Sequence, residues 1–362
     1  MVNKGRLDKI KVYTAGKPIE ELKRERNLKN IYKLASNEIP FSPNYIKEAI
    51  LKELKNINRY PESNCFYLRK CLSEKLGVRE EQLVFGNGSD ELIILAIRAL
   101  TFPKSNVIVG FPTFLIYEIQ AKVSGIKVKR IPLINYRYNL EAMAKAVDRN
   151  TKIIFIANPD NPHGTYVNHK EVENFLDSIP KEVVVFFDEA YFEFVSQKDF
   201  PNSLSIIKKR PNTIVTRTFS KAYGLAGLRI GYAISSGEIA SLLEKVREPF
   251  NVNRFAQVSA IEALKNKGFL SKVLENNTKE KDFLYREFKS IGISFIESVT
   301  NFILIDFKQD TKLLNEYLLE RGVIVRELDS WGLKNFFRVT IGTHEENLAL
   351  VRYLKEYLKM RR

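Results

Sequence analysis

From residue 83 the chain repeats one alternation: a short run of β-branched and aromatic residues, then a stretch with helical spacing. The runs are LVFGNGSDE, NVIVGFP, KVKRIPL, TKIIFIANP, VVVFFDEA, NTIVTRTFS and LRIGYAI. Such apolar strands, alternating with helices, belong in a mostly parallel sheet with helices on both faces, an α/β architecture. That architecture also constrains function, because ligands of such sheets sit outside the carboxyl ends of the strands.

The residues that follow each run are polar in a consistent way. After TKIIFIA comes Asn158-Pro159-Asp160-Asn161-Pro162, and after VVVFF come Asp188, Glu189, Ala190 and Tyr191. Ser220 and Lys221 follow TIVTRTF, and Gly86-Asn87-Gly88-Ser89-Asp90-Glu91 opens a helix after LVF. Singly each has an ordinary reading. NPDNP is a turn, Asp-Glu after a strand is a helix cap, and GNGSDE lacks the third glycine of a dinucleotide fingerprint. Together, with a lysine last, they point to one shared ligand. Lysine forms an imine with an aldehyde through its neutral amine. The hydroxyl of Ser220 precedes it and the guanidinium of Arg229 follows eight residues later, both donors suited to a phosphate. An aldehyde-bearing phosphate that needs a lysine is pyridoxal 5′-phosphate.

The remainder frames this unit. Residues 1–43 read as irregular, a wrapping segment rich in proline near its end. Pro43 opens an amphipathic helix with Ile46, Ile50, Leu51 and Leu54; a second helix with Leu68, Leu72 and Leu76 stops at Gly77. After Gly237 helices run to about 290, followed by NFILIDF, RGVIVRE and FFRVTIG as strands and a last helix with a Thr343–Glu346 capping box. The expected division is a large ligand-binding domain over 44–250 and a smaller α+β domain built from 251–362 with the N-terminal segment 1–43.

A net charge of +15 over 362 residues raises nucleic-acid binding as a rival. Lys, Arg and Glu are interspersed along the chain, however, and no zinc-finger spacing or basic arm appears, so a solvated basic surface that attracts phosphorylated or carboxylate substrates is the expectation. No apolar run approaches the ~18 residues of a membrane span, and MVNKGRLDKIKVY has no apolar leader core. Two cysteines, Cys65 and Cys71, are too few and wrongly spaced for a zinc site or disulfide framework; no metal is assigned. Cys65 shares a face with Leu68 and Leu72 and reads as a buried thiol, which fits a reducing cytoplasm.

KLASNEIPFSP, RYPE, GNGSDE, PTF, NPDNPHGT, DEAYFEF, RTFSKAYGLAGLRIGY and GLKNFFRVTIGT occur in the order of a known family. The chain resembles the fold-type I pyridoxal-phosphate aminotransferases, and within them the histidinol-phosphate aminotransferase branch. The resemblance implies that Lys221 holds the cofactor as an imine, Asp188 pairs with the pyridine nitrogen, and Asn161 and Tyr191 donate to the ring oxygen. It implies that Phe114 stacks on the ring, where many relatives have tyrosine. The backbone N–H groups of Ser89 and Asp90, with Thr218, Ser220 and Arg229, hold the phosphate. Tyr60 reaches that phosphate from the neighbouring subunit, which implies a homodimer. Arg338 binds the carboxylate of glutamate or the phosphate of histidinol phosphate, Arg326 assists with the phosphate, and Tyr13 and Asn37 are further substrate contacts. Two positions depart from the family pattern: Ile39 in Asn37-Glu38-Ile39-Pro40, and His163 where threonine is commoner.

The implied reaction is transamination between glutamate and imidazole acetol phosphate, giving 2-oxoglutarate and histidinol phosphate in a cytoplasmic enzyme. Threonine-phosphate decarboxylation and broad aromatic transamination are the alternatives. A pyridoxal-dependent transcription regulator would need an appended DNA-binding domain, for which this chain has no room.

Overall fold

The structure is a computed structural model that describes residues 5, 7–10 and 12–360. The leaderless reading of residues 1–13 falls partly outside them. Two sheets organise the chain. The smaller contains β1 (Tyr32–Leu34), and the larger is built from β2 (Leu83–Gly86), β3 (Asn106–Phe111), β4 (Lys127–Pro132), β5 (Thr151–Ala157), β6 (Val184–Asp188), β7 (Thr213–Thr218) and β8 (Gly231–Ile234). β9 (Ser294–Ile296), β10 (Phe302–Asp306), β11 (Val323–Leu328) and β12 (Leu333–Thr340) complete the smaller sheet.

The larger sheet runs in the order β2-β8-β7-β6-β5-β3-β4. β3 to β7 pair in parallel, and β8 alone is reversed between β7 and β2. Every residue of β6 and β7 is buried. Because successive side chains point to opposite faces, this burial requires cover on both sides, as the unbroken apolar runs predicted. At the edge, β4 (KVKRIP) is partly exposed and carries Lys127, Lys129 and Arg130, charges that discourage pairing with another strand. The core of this sheet continues past residue 250 through Val252, Ala256, Ala260, Ala263 and Leu264, because the helix Arg254–Lys265 packs on it.

The smaller sheet, β1-β11-β12-β10-β9, has a separate core centred on Ile303, Val325, Phe337 and Leu354. Its first strand comes from the N-terminal segment, which is less irregular than its sequence suggests. Ile19–Glu25 forms a helix that buries Leu22, and Tyr32–Leu34 pairs in parallel with Val323–Val325. A seven-residue helix is too short to show periodicity, and a strand whose partner lies 291 positions away leaves no local signal. This pairing delivers Ser36 and Asn37 to the space between the sheets.

Other expectations hold. The Thr343 N–H donates to Glu346 at 2.7 Å and the Glu346 N–H to the Thr343 hydroxyl at 3.3 Å, forming the capping box. Cys65 is buried, and burial pushes its thiol up to about 12. No helix among the described residues is long and apolar enough to cross a membrane. Leu51 and Leu54, expected on a buried helix face, are instead exposed, as are Ile57, Tyr60, Phe66 and Tyr67 nearby in the chain.

Between β6 and β7 lies a buried ion pair. Arg217 Nε donates to Glu189 Oε2 at 2.9 Å, the Ser203 hydroxyl holds the other carboxylate oxygen, and the guanidinium covers the Phe192 ring. It fixes the strand end that carries Asp188. Arg217→Met leaves Glu189 buried and unpaired, and is expected to cost about 3–5 kcal/mol in urea unfolding, with Arg217→Met/Glu189→Leu recovering most of it. A single-variant loss under about 1 kcal/mol would contradict the anchoring role.

Candidate active site

The parallel strands of the larger sheet end on one rim, and the smaller sheet faces that rim across a cleft. Every residue assigned a cofactor or substrate role from the sequence except Tyr60 lines it. Tyr60 is 78% exposed and stacks on Phe250 at 4.7 Å, away from the cleft of its own chain. His163 also stands outside the lining. It is buried one layer behind, with Nδ1 2.6 Å from Asp160 Oδ2, while the hydroxyls of Thr113 and Tyr138 donate to the other oxygen of that carboxylate.

Lys221 is presented by a tight turn. Phe219, fully buried against Tyr223 and Tyr232, donates its N–H to Ile230 O, and Gly224 N–H closes back onto Lys221 O at 2.9 Å. With Phe219 inward, Lys221 enters the cleft, where its amine donates to Ser36 O at 3.1 Å. Desolvation there, reinforced by the nearby Arg338 charge, lowers its pKa to about 8. The amine is therefore neutral far more often near neutral pH than an exposed lysine.

Asp188 ends β6 and is buried. Its carboxylate accepts from Tyr117 OH at 2.7 Å, Ala190 N–H at 3.2 Å and Thr216 OH at 3.4 Å. No cationic side chain among the described residues forms an ion pair with it. Desolvation raises its pKa to about 6 against those hydrogen bonds, with Asp90 adding repulsion. A buried carboxylate that still lacks a cation suits a ligand that brings one, such as a protonated ring nitrogen. Tyr117 was not foreseen from sequence. Its only signal is a tyrosine in the first turn of the helix Ile116–Val123, shortly after a strand end.

A phosphate-sized corner lies at the start of the helix Ser89–Leu100, whose first N–H groups and dipole favour an anion. Gly88 has φ +83°, and a Cβ there would meet Arg229 Nη2 at 2.5 Å; a Cβ on Gly231 would meet Ser89 N at 2.7 Å. The backbone is thus drawn in close, leaving N–H groups rather than side chains to line the corner. Thr218, Ser220 and Arg229 flank it, with the Arg229 guanidinium 3.4 Å from Ser220 Oγ. Phe114, packed edge-on against Tyr117, offers the cleft an aromatic ring.

The opposite wall is cationic. Arg338 on β12 and Arg326 on β11 are cross-strand partners in register, and both are buried. Arg338 donates to Asn161 Oδ1 at 2.6 Å and to Ala35 O at 2.8 Å, while its Nε has no partner. Arg326 donates to Thr14 O and lies against Tyr13. Asn37, held at φ +54°, gives its amide to the Tyr191 hydroxyl at 2.8 Å, so the tyrosine proton is free to point elsewhere. Lysine for an aldehyde, carboxylate for a cationic ring, N–H groups for a phosphate and guanidiniums for a substrate anion are thus all within one cleft.

Residues 29–354 match the family model of class I and II aminotransferases. The chain is 44% identical over 351 residues to histidinol-phosphate aminotransferase of Moorella thermoacetica, covering 96% of this chain and 91% of that one. It is 42% identical over 349 residues to the enzyme of the same name from a Geobacillus strain, covering 96% and 95%. Among solved structures it is similar to histidinol-phosphate aminotransferase from Sinorhizobium meliloti in complex with pyridoxal 5′-phosphate, with a TM-score of 0.91, 26% identity and coverage of 100% and 98%.

The sign of the Asp188 shift gives a test. Its folded pKa of about 6 exceeds the ordinary carboxylate value near 3.9, so the folded state holds this proton more tightly than the unfolded one. The stability it contributes is complete below about pH 4 and lost as pH rises through 6. In thermal melts of cofactor-free protein, Asp188→Asn is expected to flatten that part of the profile and to melt no lower than the parent at pH 8. A lower melting temperature there would contradict the absence of an internal cation.

Proposed function

The chain belongs to the class I and II aminotransferases, and on that premise we propose that it binds pyridoxal 5′-phosphate and transfers an amino group between glutamate and imidazole acetol phosphate, forming histidinol phosphate. The observation that carries the substrate assignment is the buried, in-register pair Arg338 and Arg326 facing the lysine of the cleft. Buried guanidiniums need anions, and these two suit the carboxylate that glutamate brings and the phosphate that imidazole acetol phosphate brings. The names of the relatives agree with this reading.

Lys221 would hold the cofactor covalently, with Asp188 at its ring nitrogen and the Ser89 and Asp90 N–H groups, Thr218, Ser220 and Arg229 at its phosphate. Phe114 would cover the ring face, and Asn161 and Tyr191 would donate to its hydroxyl oxygen. The bound cofactor supplies an electron-withdrawing ring that stores the charge left when the amine-bearing carbon loses its proton. Asp188 would keep a proton on the ring nitrogen. Lys221 Nζ, poised by its lowered pKa, would act as the base that takes the proton from the substrate's amine-bearing carbon and then as the acid that hands it on to the cofactor side. Arg338 fixes the glutamate carboxylate so that this proton faces Nζ, and Arg326 with Tyr13 and Asn37 receives the phosphorylated substrate.

We also propose that the enzyme works as a cytoplasmic homodimer through the exposed Leu51, Leu54, Ile57, Tyr60, Phe66 and Tyr67 patch, with Tyr60 completing the partner's phosphate corner. The smaller domain is taken to begin after the helix Arg254–Lys265, which packs on the larger core, rather than at 251.

Steady-state assays with 2-oxoglutarate test the assignment. Histidinol phosphate is expected to exceed phenylalanine in kcat/KM by about a hundredfold or more, since phenylalanine leaves a buried guanidinium unpaired. Equal values would favour a broad aromatic enzyme, and carbon dioxide release from threonine phosphate a decarboxylase.

A further inference from the structure

We propose that Trp331 is a positioning residue that selects for the phosphorylated substrate by holding the Arg326 guanidinium in place without neutralising it. The inference rests on the substrate reading above. Trp331, the chain's single tryptophan, is 1% exposed and sits in a small cluster with Leu304, Leu328 and Phe336. The Arg326 guanidinium lies 5.1 Å from the Trp331 ring centroid and 5.8 Å from that of Tyr13. Its hydrogen bond goes to the Thr14 carbonyl, and no carboxylate among the described residues forms an ion pair with it.

The choice of partner matters. A carboxylate would also fix the arginine, but it would occupy the fork that a phosphate needs. An aromatic face attracts the cation through its quadrupole and leaves the in-plane N–H donors free. Two such faces and one carbonyl therefore orient Arg326 while keeping its charge available to an incoming anion.

Trp331 is itself fixed from the other side of the cleft. Its Nε1–H donates to Thr113 O at 2.8 Å. Thr113 follows β3 of the larger sheet and directly precedes Phe114, which lines the cleft. Thus an arginine borne by the smaller sheet, and also held by Thr14 and Tyr13, is linked to the larger sheet through the indole. Arg338 is anchored on Ala35 and directly on Asn161, without the indole. Loss of the indole should therefore separate the two substrates.

The test compares Trp331→Leu and Trp331→Phe holoenzymes in separate half-reactions. With Trp331→Leu, kcat/KM for histidinol phosphate is expected to fall about tenfold, chiefly through KM, while that for glutamate changes less than about threefold. Trp331→Phe, which keeps a ring, is expected to recover most of the loss, and it carries the test if the leucine variant does not fold. Equal losses for both substrates, or no loss for histidinol phosphate, would overturn the proposal. A readout independent of turnover uses cofactor-free protein, in which the emission of this sole tryptophan is followed as histidinol phosphate is added. A saturating change that disappears in Arg326→Gln is expected; calorimetric binding with no change in emission would overturn it. A parent enzyme that neither binds nor uses histidinol phosphate would strike at the substrate reading, whereas a parent that uses it with unselective variants would strike at Trp331 alone.

Discussion

The interaction on which the site depends is one the protein alone leaves incomplete: the buried carboxylate of Asp188 with no cation beside it. Three hydrogen bonds from Tyr117, Ala190 and Thr216 soften the desolvation without cancelling it. A folded chain tolerates such a group only when the surrounding sheet is rigid enough to hold it there. The central strands β6 and β7, buried throughout and tied at their ends by the Arg217–Glu189 pair, supply that rigidity. The same carboxylate, costly to bury alone, would become favourable beside a cationic ring nitrogen, the partner proposed for it.

Around this carboxylate the cleft separates its charges by origin. The larger sheet contributes the carboxylate, the lysine and the N–H groups at the start of a helix. Two arginines come from the smaller sheet, and Asn37 and Tyr13 from the N-terminal segment that β1 stitches to that sheet. Arg338 acts at both levels, since its charge helps lower the Lys221 pKa and its Nε, without a hydrogen-bond partner among the described residues, is the donor proposed for a substrate anion. On the proposed reading, cofactor chemistry and substrate recognition would be carried by different parts of the fold that face each other across the cleft.

Much of this was legible in the sequence because of periodicity. Continuous apolar runs identify the central strands, and the polar residues that end them, Asn161, Asp188 and Lys221, must fall on one rim. Arg326 and Arg338 were readable through their place in the resemblance. What remained hidden has long-range causes. Tyr117 and Trp331 look like core aromatics until the structure shows the carboxylate and carbonyl their polar tips reach. The β1–β11 pairing has no local pattern, and exposure of Leu51 and Leu54 contradicts the helix face their spacing suggests. His163, an open question at the strand end, is satisfied by Asp160 behind the cleft.

The most direct measurement is the site of covalent attachment. The protein would be loaded with pyridoxal 5′-phosphate, reduced with borohydride, digested and mapped by mass spectrometry. The account requires a single pyridoxyl phosphate adduct, on Lys221, that vanishes in Lys221→Ala. An adduct on another lysine, or label scattered over the many surface lysines with Lys221 unmodified, would contradict it.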